Sequence, residues 1–425
     1  MEQIKVAMIC HLSTQELRDK LELDNRRLYA FARKLLRMPH KQTKYSDYAP
    51  WNANLIEQLE VRDDIELHVI SAHDGLKKIQ TSFKLRNTSY TFIKCDYTTL
   101  FRRLIPSVEL WKKLNVMTPL VHRKVREINP DIVIMVGAEM AYVSSTILGL
   151  EKKYPICVLT QTIYNNPDRS KYSKIDKKNA AVELEIFQRI RHIGVFSDMH
   201  ENLLKQLTKS KIDIFRYNFP VAKLPVVSYS GTKQFDFVNF AMNISLQKGF
   251  HDSIKALAIV KDKYPDVKLN LVGQVIGERK KELEEMIEEL GLKENISFTP
   301  SFEKQVDVFE HIQKARFAVL PCKLDNISGT MIQAMNYHLP IVVYKTPGTP
   351  SLNVHEQCAL IASHSDVEDL ARKMIALLDD ENLGKEMIQN SVKYMDRYYN
   401  ESRSNLDNLV GNMKRIIKEE HRYAN

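Results

Sequence analysis

The sequence predicts an α/β protein made of two doubly wound, Rossmann-like domains in tandem. Three observations carry that expectation. Short β-branched runs recur between longer segments of helical character, the series starts afresh at Phe235, and a stretch with two prolines separates the two halves.

The first series reads Ile4 to Ile9, Glu66 to Ile70, Tyr90 to Ile93, Asp131 to Val136, Ile156 to Leu159 and Ile193 to Phe196. Runs this short and apolar, with no hairpin turns evident between them, suit a parallel sheet covered by helices on both faces. The second series reads Phe235 to Phe240, Lys268 to Val272, Ile296 to Phe298, Phe317 to Leu320 and Ile341 to Tyr344. Within it the charged stretch Glu278 to Leu290 reads as an amphipathic helix stopped by Gly291. Between the series, Asn218 to Val227 holds Pro220 and Pro225 and no helical period, so it reads as a linker. The expected domains are residues 1–220 and 221–400. The tail from Asn382 to Tyr423, with Tyr, Lys and Arg at helical spacing, should form closing helices, the last of them (401–425) packing back on the first domain.

A chain of 425 residues is too long for one core, which agrees with two domains. With 27% charged and 44% hydrophobic residues it reads as a soluble globular protein. The most apolar region, Ile132 to Leu150, is interrupted by Glu139 and reads as a strand running into a helix rather than a membrane span. Glu2 and Lys5 flank only a short apolar run at the N-terminus, which lacks a signal-peptide layout, so a cytoplasmic location is expected. The five cysteines (Cys10, Cys95, Cys157, Cys322, Cys358) have no paired spacing, which argues against a disulfide framework and a zinc site.

The net charge of +9 is unevenly spread. Between Leu100 and Arg126 stand Arg102, Arg103, Lys112, Lys113, Arg123, Lys124 and Arg126 against the single acid Glu109, interleaved with Phe101, Leu104, Ile105, Trp111 and Leu114. Such a surface suits anionic lipid head groups or a lipid diphosphate, and equally the solvated face of an amphipathic helix. No RNA-binding signature, zinc finger or helix-turn-helix pattern is present, so nucleic acid is not an expected partner.

The most informative segment is Asp325 to Met335, between the apolar runs ending at Pro321 and beginning at Pro340. It reads as a strand exit followed by a helix whose first turn carries Ser328, Gly329 and Thr330. Such a helix start presents backbone N–H groups and the positive end of the macrodipole, which suits a phosphate; an ordinary helix cap would read the same. Glycine supports a ligand here. There are only 13 in the chain, against a usual share of roughly 7%, yet Gly249, Gly273, Gly329 and Gly348 all fall just after strands or at helix starts of the second half. Ligands in such sheets bind at the carboxyl ends of strands, in this case facing a cleft between domains.

Absent motifs narrow the class. No GxGxxG follows the first strand, where the loop reads Cys10-His-Leu-Ser-Thr14, and no GxxxxGK[ST] occurs. No two aspartates stand two apart and no HExxH is present, so no metal ligand set and no cofactor are expected. A metal-free nucleotide-sugar site fits what is left.

Asn239 to Phe250, NFAMNISLQKGF, resembles the GRLxxxKG turn that opens the second domain of GT-B glycosyltransferases, and Leu271-Val-Gly273 the glycine-ended strand that follows. Leu320 to Met335 is similar to the glutamate-pair motif of glycosyltransferase family 4, and Pro340 to Gly348 to that family's P-V-V strand and loop. The resemblance covers the second domain strongly and the first by strand order. It implies a GT-B fold whose first domain binds acceptor and whose second binds donor. The implied activity is transfer of a sugar from a UDP- or GDP-linked donor to an acceptor hydroxyl, with retention and without metal.

Residue by residue, the resemblance puts Lys248 on the donor diphosphate, Asp325 on the transferred sugar, Gln333 on the ribose hydroxyls, and Ser328, Gly329 and Thr330 on the phosphates, with Asn243 and Gly273 lining the donor site. The bland alternatives are a solvated lysine, a loop cap and a buried helix amide for Lys248, Asp325 and Gln333. Three positions depart from the motif: Asn243 stands at the family's arginine, Asp325 is one methylene short of the expected glutamate, and Gln333 replaces a carboxylate by an amide. Each exchange costs on the order of 1 kcal/mol of charged hydrogen bonding. In the first domain Glu139 is a candidate for contact with the sugar or acceptor hydroxyl, or else a helix-start glutamate stabilised by the dipole. The expected acceptor is a lipid-linked saccharide at the inner membrane face, as in surface polysaccharide or capsule assembly. A catalytically silent GT-B subunit and a nucleotide-sugar epimerase are the alternatives.

Overall fold

The computed structural model describes residues 3–23, 47–95, 115–167, 174–208, 212–218, 223–275, 277–302, 304–323 and 327–424. By contacts the chain divides into Met1–Ala222 with Glu401–Asn425, and Lys223–Asn400.

The first unit is built on an eight-stranded sheet: β1 (Ile4–Cys10), β2 (Ile65–His73), β3 (Gln80–Leu85), β4 (Thr88–Lys94), β5 (Ile132–Val136), β6 (Ile156–Leu159), β7 (His192–Val195) and β8 (Asp213–Arg216), in the spatial order β3-β4-β2-β1-β5-β6-β7-β8. Strand β1 is central, with Met8 opposite both Val69 and Ile134. Alternate residues of a strand point to opposite faces, and both faces of β1 are buried. Ala7 and Ile9 enter a core shared with Val121, Val125 and Ile186, while Val6, Met8 and Cys10 enter one shared with Leu55 and Leu59. That is why the strands read as unbroken apolar runs.

One expectation needs correction. The sheet is parallel except at its edge, where β3 and β4 form an antiparallel hairpin across Arg86-Asn87, with Arg86 at φ 53°. The hairpin went unread because β3, QTSFKL, opens on three polar residues at an edge, and its two-residue turn lacks the usual glycine.

The helix Met117–Ile128 buries Met117, Val121, Val125 and Ile128, a stripe at helical spacing, and ends where Asn129 takes a left-handed conformation. Its cations face outward, Arg123 and Lys124 both lying near Glu127. This described part of the basic stretch is a solvated amphipathic face; Arg102, Arg103, Lys112 and Lys113 lie outside the described residues.

The tail is one helix, Glu381–Ala424, rather than several. From Glu401 onward it groups with the first unit, where Leu409, Met413 and Ile416 are buried beside Val6 and Met8. Ion pairs fix its register: Lys414 with Asp64 at 2.6 Å and Arg415 with Asp213 at 2.7 Å. Buried His192 bridges Asp213 and Glu420 at 2.7 and 2.9 Å. Among the described residues no helix is long and apolar enough to cross a membrane.

The second unit holds a wholly parallel sheet of six strands: β9 (Phe235–Asn243), β10 (Leu269–Gln274), β11 (Ile296–Thr299), β12 (Ala315–Leu320), β13 (Ile341–Tyr344) and β14 (Ala359–Ala362), in the order β11-β10-β9-β12-β13-β14. After β9 the chain moves to one side through β10 and β11, then returns to the other side at β12. The strand order therefore reverses between β9 and β12. In open α/β sheets a crevice opens at the carboxyl ends of two such strands.

Candidate functional site

The connection after β9 begins with a tight turn. The Ser245 side chain accepts from the Lys248 backbone N–H and caps the short 3-10 helix Leu246–Lys248. Gly249 follows at φ 73°, and a side chain on it would collide with the carbonyl of Pro321. Only glycine fits that backbone conformation and that approach together. From the other side the Lys323 N–H donates to the Gln247 carbonyl at 2.9 Å. The turn carrying Lys248 and the exit of β12 are thus joined by backbone contacts across the switch point.

Beyond that exit the helix Gly329–Asn336 begins. Its cap residue Ser328 is buried and makes no side-chain bond to a first-turn N–H; its hydroxyl lies 2.8 Å from that of Thr330. The helices that follow Thr14, Ser197 and Asp366 are closed by such a bond, whereas those beginning at Pro50, Met117, Phe250, Glu278 and Gln305 lack one as well. Among the described residues, nothing lies within 4 Å of where a β-carbon on Gly329 would stand. Thr330 and Gln333, one turn apart, are half-buried.

Asn243 ends β9 with an exposed side chain. Gly273, at φ 152°, presses β10 against the carbonyl of Ala241 at an irregularity of the strand pairing. Asn243, Lys248, Gly273, Ser328, Gly329, Thr330 and Gln333 therefore gather at the carboxyl ends of the three adjacent strands β10, β9 and β12. Asp325 lies outside the described residues.

Two charged residues here escaped the sequence reading. The Lys323 ammonium pairs with buried Asp252 at 2.9 Å, and the Tyr344 hydroxyl donates to the same carboxylate at 2.9 Å. Burial first, and then the Asp252 charge, pushes the Tyr344 hydroxyl far above its usual range. The pairing partially neutralises Lys323 and fixes it on the wall of the crevice. Its position two residues past Pro321 was the available signal.

In the first unit the same topological logic applies between β1 and β5. Glu139 stands three residues past β5 and is half-buried, its carboxylate folded back over Gly137. Tyr217 feels it: burial first and the Glu139 charge second raise that phenol well above its ordinary range. On the loop after β1, His11 Nε2 lies 3.1 Å from the Tyr142 hydroxyl, and its carbonyl accepts from Asn52 at 3.0 Å. His11 and Tyr142 were not singled out from sequence, although His11 occupies the loop where a glycine motif was sought. Glu139 belongs to this unit, whereas the other described candidates belong to the second.

The arrangement in the second unit combines a helix start without a side-chain cap, a neighbouring lysine and a glycine-tightened strand turn, the parts of a phosphate-binding crevice on a doubly wound domain. Residues 231–394 match the family model described as Glycosyl transferases group 1. An uncharacterized glycosyltransferase of Haemophilus influenzae is 26% identical over 145 residues, 34% of this chain and 40% of that protein. The structure of TarM is 16% identical with a TM-score of 0.57, over 68% of this chain and 57% of its own. The chain thus spans less than two thirds of either relative. Sucrose-phosphate synthase from Thermosynechococcus elongatus, 13% identical, has a TM-score of 0.65 over 98% of this chain and 100% of its own. The fold is that of the GT-B glycosyltransferases, with two Rossmann-like domains. Together the comparisons support a place for the chain in the GT-B glycosyltransferase superfamily.

Proposed function

We propose that this chain moves a sugar from a UDP- or GDP-linked donor to a lipid-linked saccharide, with retention at the anomeric carbon and without metal, in surface polysaccharide assembly at the inner face of the cell membrane. The observation that carries the reading is the backbone contact, across one switch point, between the Lys248 turn and the exit of β12, which precedes a helix whose cap hydroxyl at Ser328 bonds Thr330 instead of a first-turn N–H. The transition state is an oxocarbenium-like sugar departing from an anionic diphosphate. Fixed dipoles and an ammonium placed where that charge grows accelerate departure more than a strong base would. In this reading Thr330 and Ser328 add hydroxyl donors, the family resemblance assigns Gln333 to the ribose and Asp325 to the transferred sugar, and Glu139 contacts the sugar or acceptor hydroxyl.

Titration of the full chain with UDP and GDP, followed by a donor panel with crude membrane lipid as acceptor, tests this. The expected result is micromolar binding of one nucleotide and transfer giving the same anomer as the donor. Failure to bind either nucleotide defeats the reading. Binding without transfer points to a silent GT-B subunit, and isomerised free sugar to an epimerase. Co-flotation with anionic vesicles, abolished by charge reversal at Arg102, Arg103, Lys112 and Lys113, tests the lipid contact separately.

A further inference from the structure

Asn243 puts a neutral, exposed amide at the end of β9, where the resembling motif carries a cation. The structure brings a guanidinium to the same turn from another part of the chain. Arg279 stands in the first turn of the helix Glu278–Glu289, and its Nη1 lies 3.5 Å from the carbonyl of Ile244, the residue after Asn243. The backbone around this contact is locked. The Ile244 N–H donates to the Gln274 carbonyl at 3.1 Å, Gln274 pairs with Asn243, and Gly273 abuts Ala241. The end of β10 and the turn leading to Lys248 are therefore joined by backbone contacts, and the helix bearing Arg279 is the next element after β10.

Arg279 is exposed, and among the described residues no carboxylate forms an ion pair with its guanidinium. Glu282, three residues along the same helix, lies 3.4 Å from His251. His251 reports the guanidinium: burial chiefly, and Arg279 in addition, keep that imidazole below its ordinary range despite Glu282 and Asp252. An arginine held only by a long carbonyl contact retains most of its donors, in a planar fork that matches phosphate oxygens.

We propose that Arg279 supplies the second cation of the donor-diphosphate site, replacing from the β10 connection the charge that Asn243 leaves out beside Lys248. This rests on the nucleotide-sugar reading above and names a residue that binds the diphosphate.

Isothermal titration of the full chain with UDP, GDP, UMP and GMP separates the two. With the nucleotide that wild type binds, Arg279→Ala should weaken the diphosphate about tenfold and the monophosphate several-fold less. Asn243→Arg in the same background should regain most of that loss, with unchanged thermal melting in every variant. Equal diphosphate affinity in wild type and Arg279→Ala, an equal loss for diphosphate and monophosphate, or a loss that Asn243→Arg does not regain overturns the proposal while leaving the donor reading intact. No nucleotide binding by wild type overturns both.

Discussion

The carbonyl of Pro321 stands where a β-carbon on Gly249 would have to be. Two loops on either side of the switch point are thereby in backbone contact, and the position tolerates no side chain. Gly249→Ala should destabilise the second unit by about 3 kcal/mol, combining left-handed backbone strain with overpacking. Chemical denaturation followed by circular dichroism measures it, and a loss below about 1 kcal/mol would show that the loops separate freely.

Lys248 is half-buried on that same turn, whose backbone is capped by the Ser245 side chain. Lys248→Met should lower turnover roughly 100-fold or more, the usual cost of removing a group that stabilises developing charge. Turnover within threefold of wild type would take the lysine out of the reaction.

Gln333 offers a neutral amide where the family motif has an acid. Gln333→Glu should tighten the nucleotide diphosphate by about fivefold, since a charged acceptor strengthens a hydroxyl hydrogen bond by on the order of 1 kcal/mol. Weaker or unchanged binding in calorimetry would separate this residue from the ribose.

His200 makes the first unit acid-sensitive. It is buried against Phe196, and burial first, with Arg216 second, pushes its imidazole down to about 4. Below the ordinary histidine range the unfolded chain takes up a proton that the folded one refuses. The stability this residue contributes is therefore whole above pH 6.5 and is lost between pH 6.5 and 4, amounting to about 3 kcal/mol. Unfolding curves of His200→Leu across that interval should slope less than those of wild type; parallel slopes would exclude the residue.

What could be read from sequence follows the physics of burial. Central parallel strands such as Asp131 to Val136 and Ile341 to Tyr344 are covered on both faces and announce themselves as apolar runs. Strands β8, DIFR, and β14, ALIA, lie at the ends of their sheets, and their charged or small residues break up the β-branched run that marks the equally short Ile341–Tyr344. The candidate site divides the same way. Lys248 and Gly329 sit in local motifs, strand then turn then helix, so their place was visible. Lys323 and Asp252 meet 71 residues apart, and Arg279 reaches a carbonyl 35 residues back, contacts that only the sheet order creates.

The closing helix sets the order in which the polypeptide can be completed. Leu409, Met413 and Ile416 pack in the core beside β1, so that strand must wait for residues translated long after it before its hydrophobic environment is finished. Loop closure over so long a span is slow, and an apolar surface left open meanwhile invites aggregation. A nascent chain halted before Glu401 would present that uncovered face to chaperones, whereas Lys223–Asn400 would already hold every strand of its own sheet.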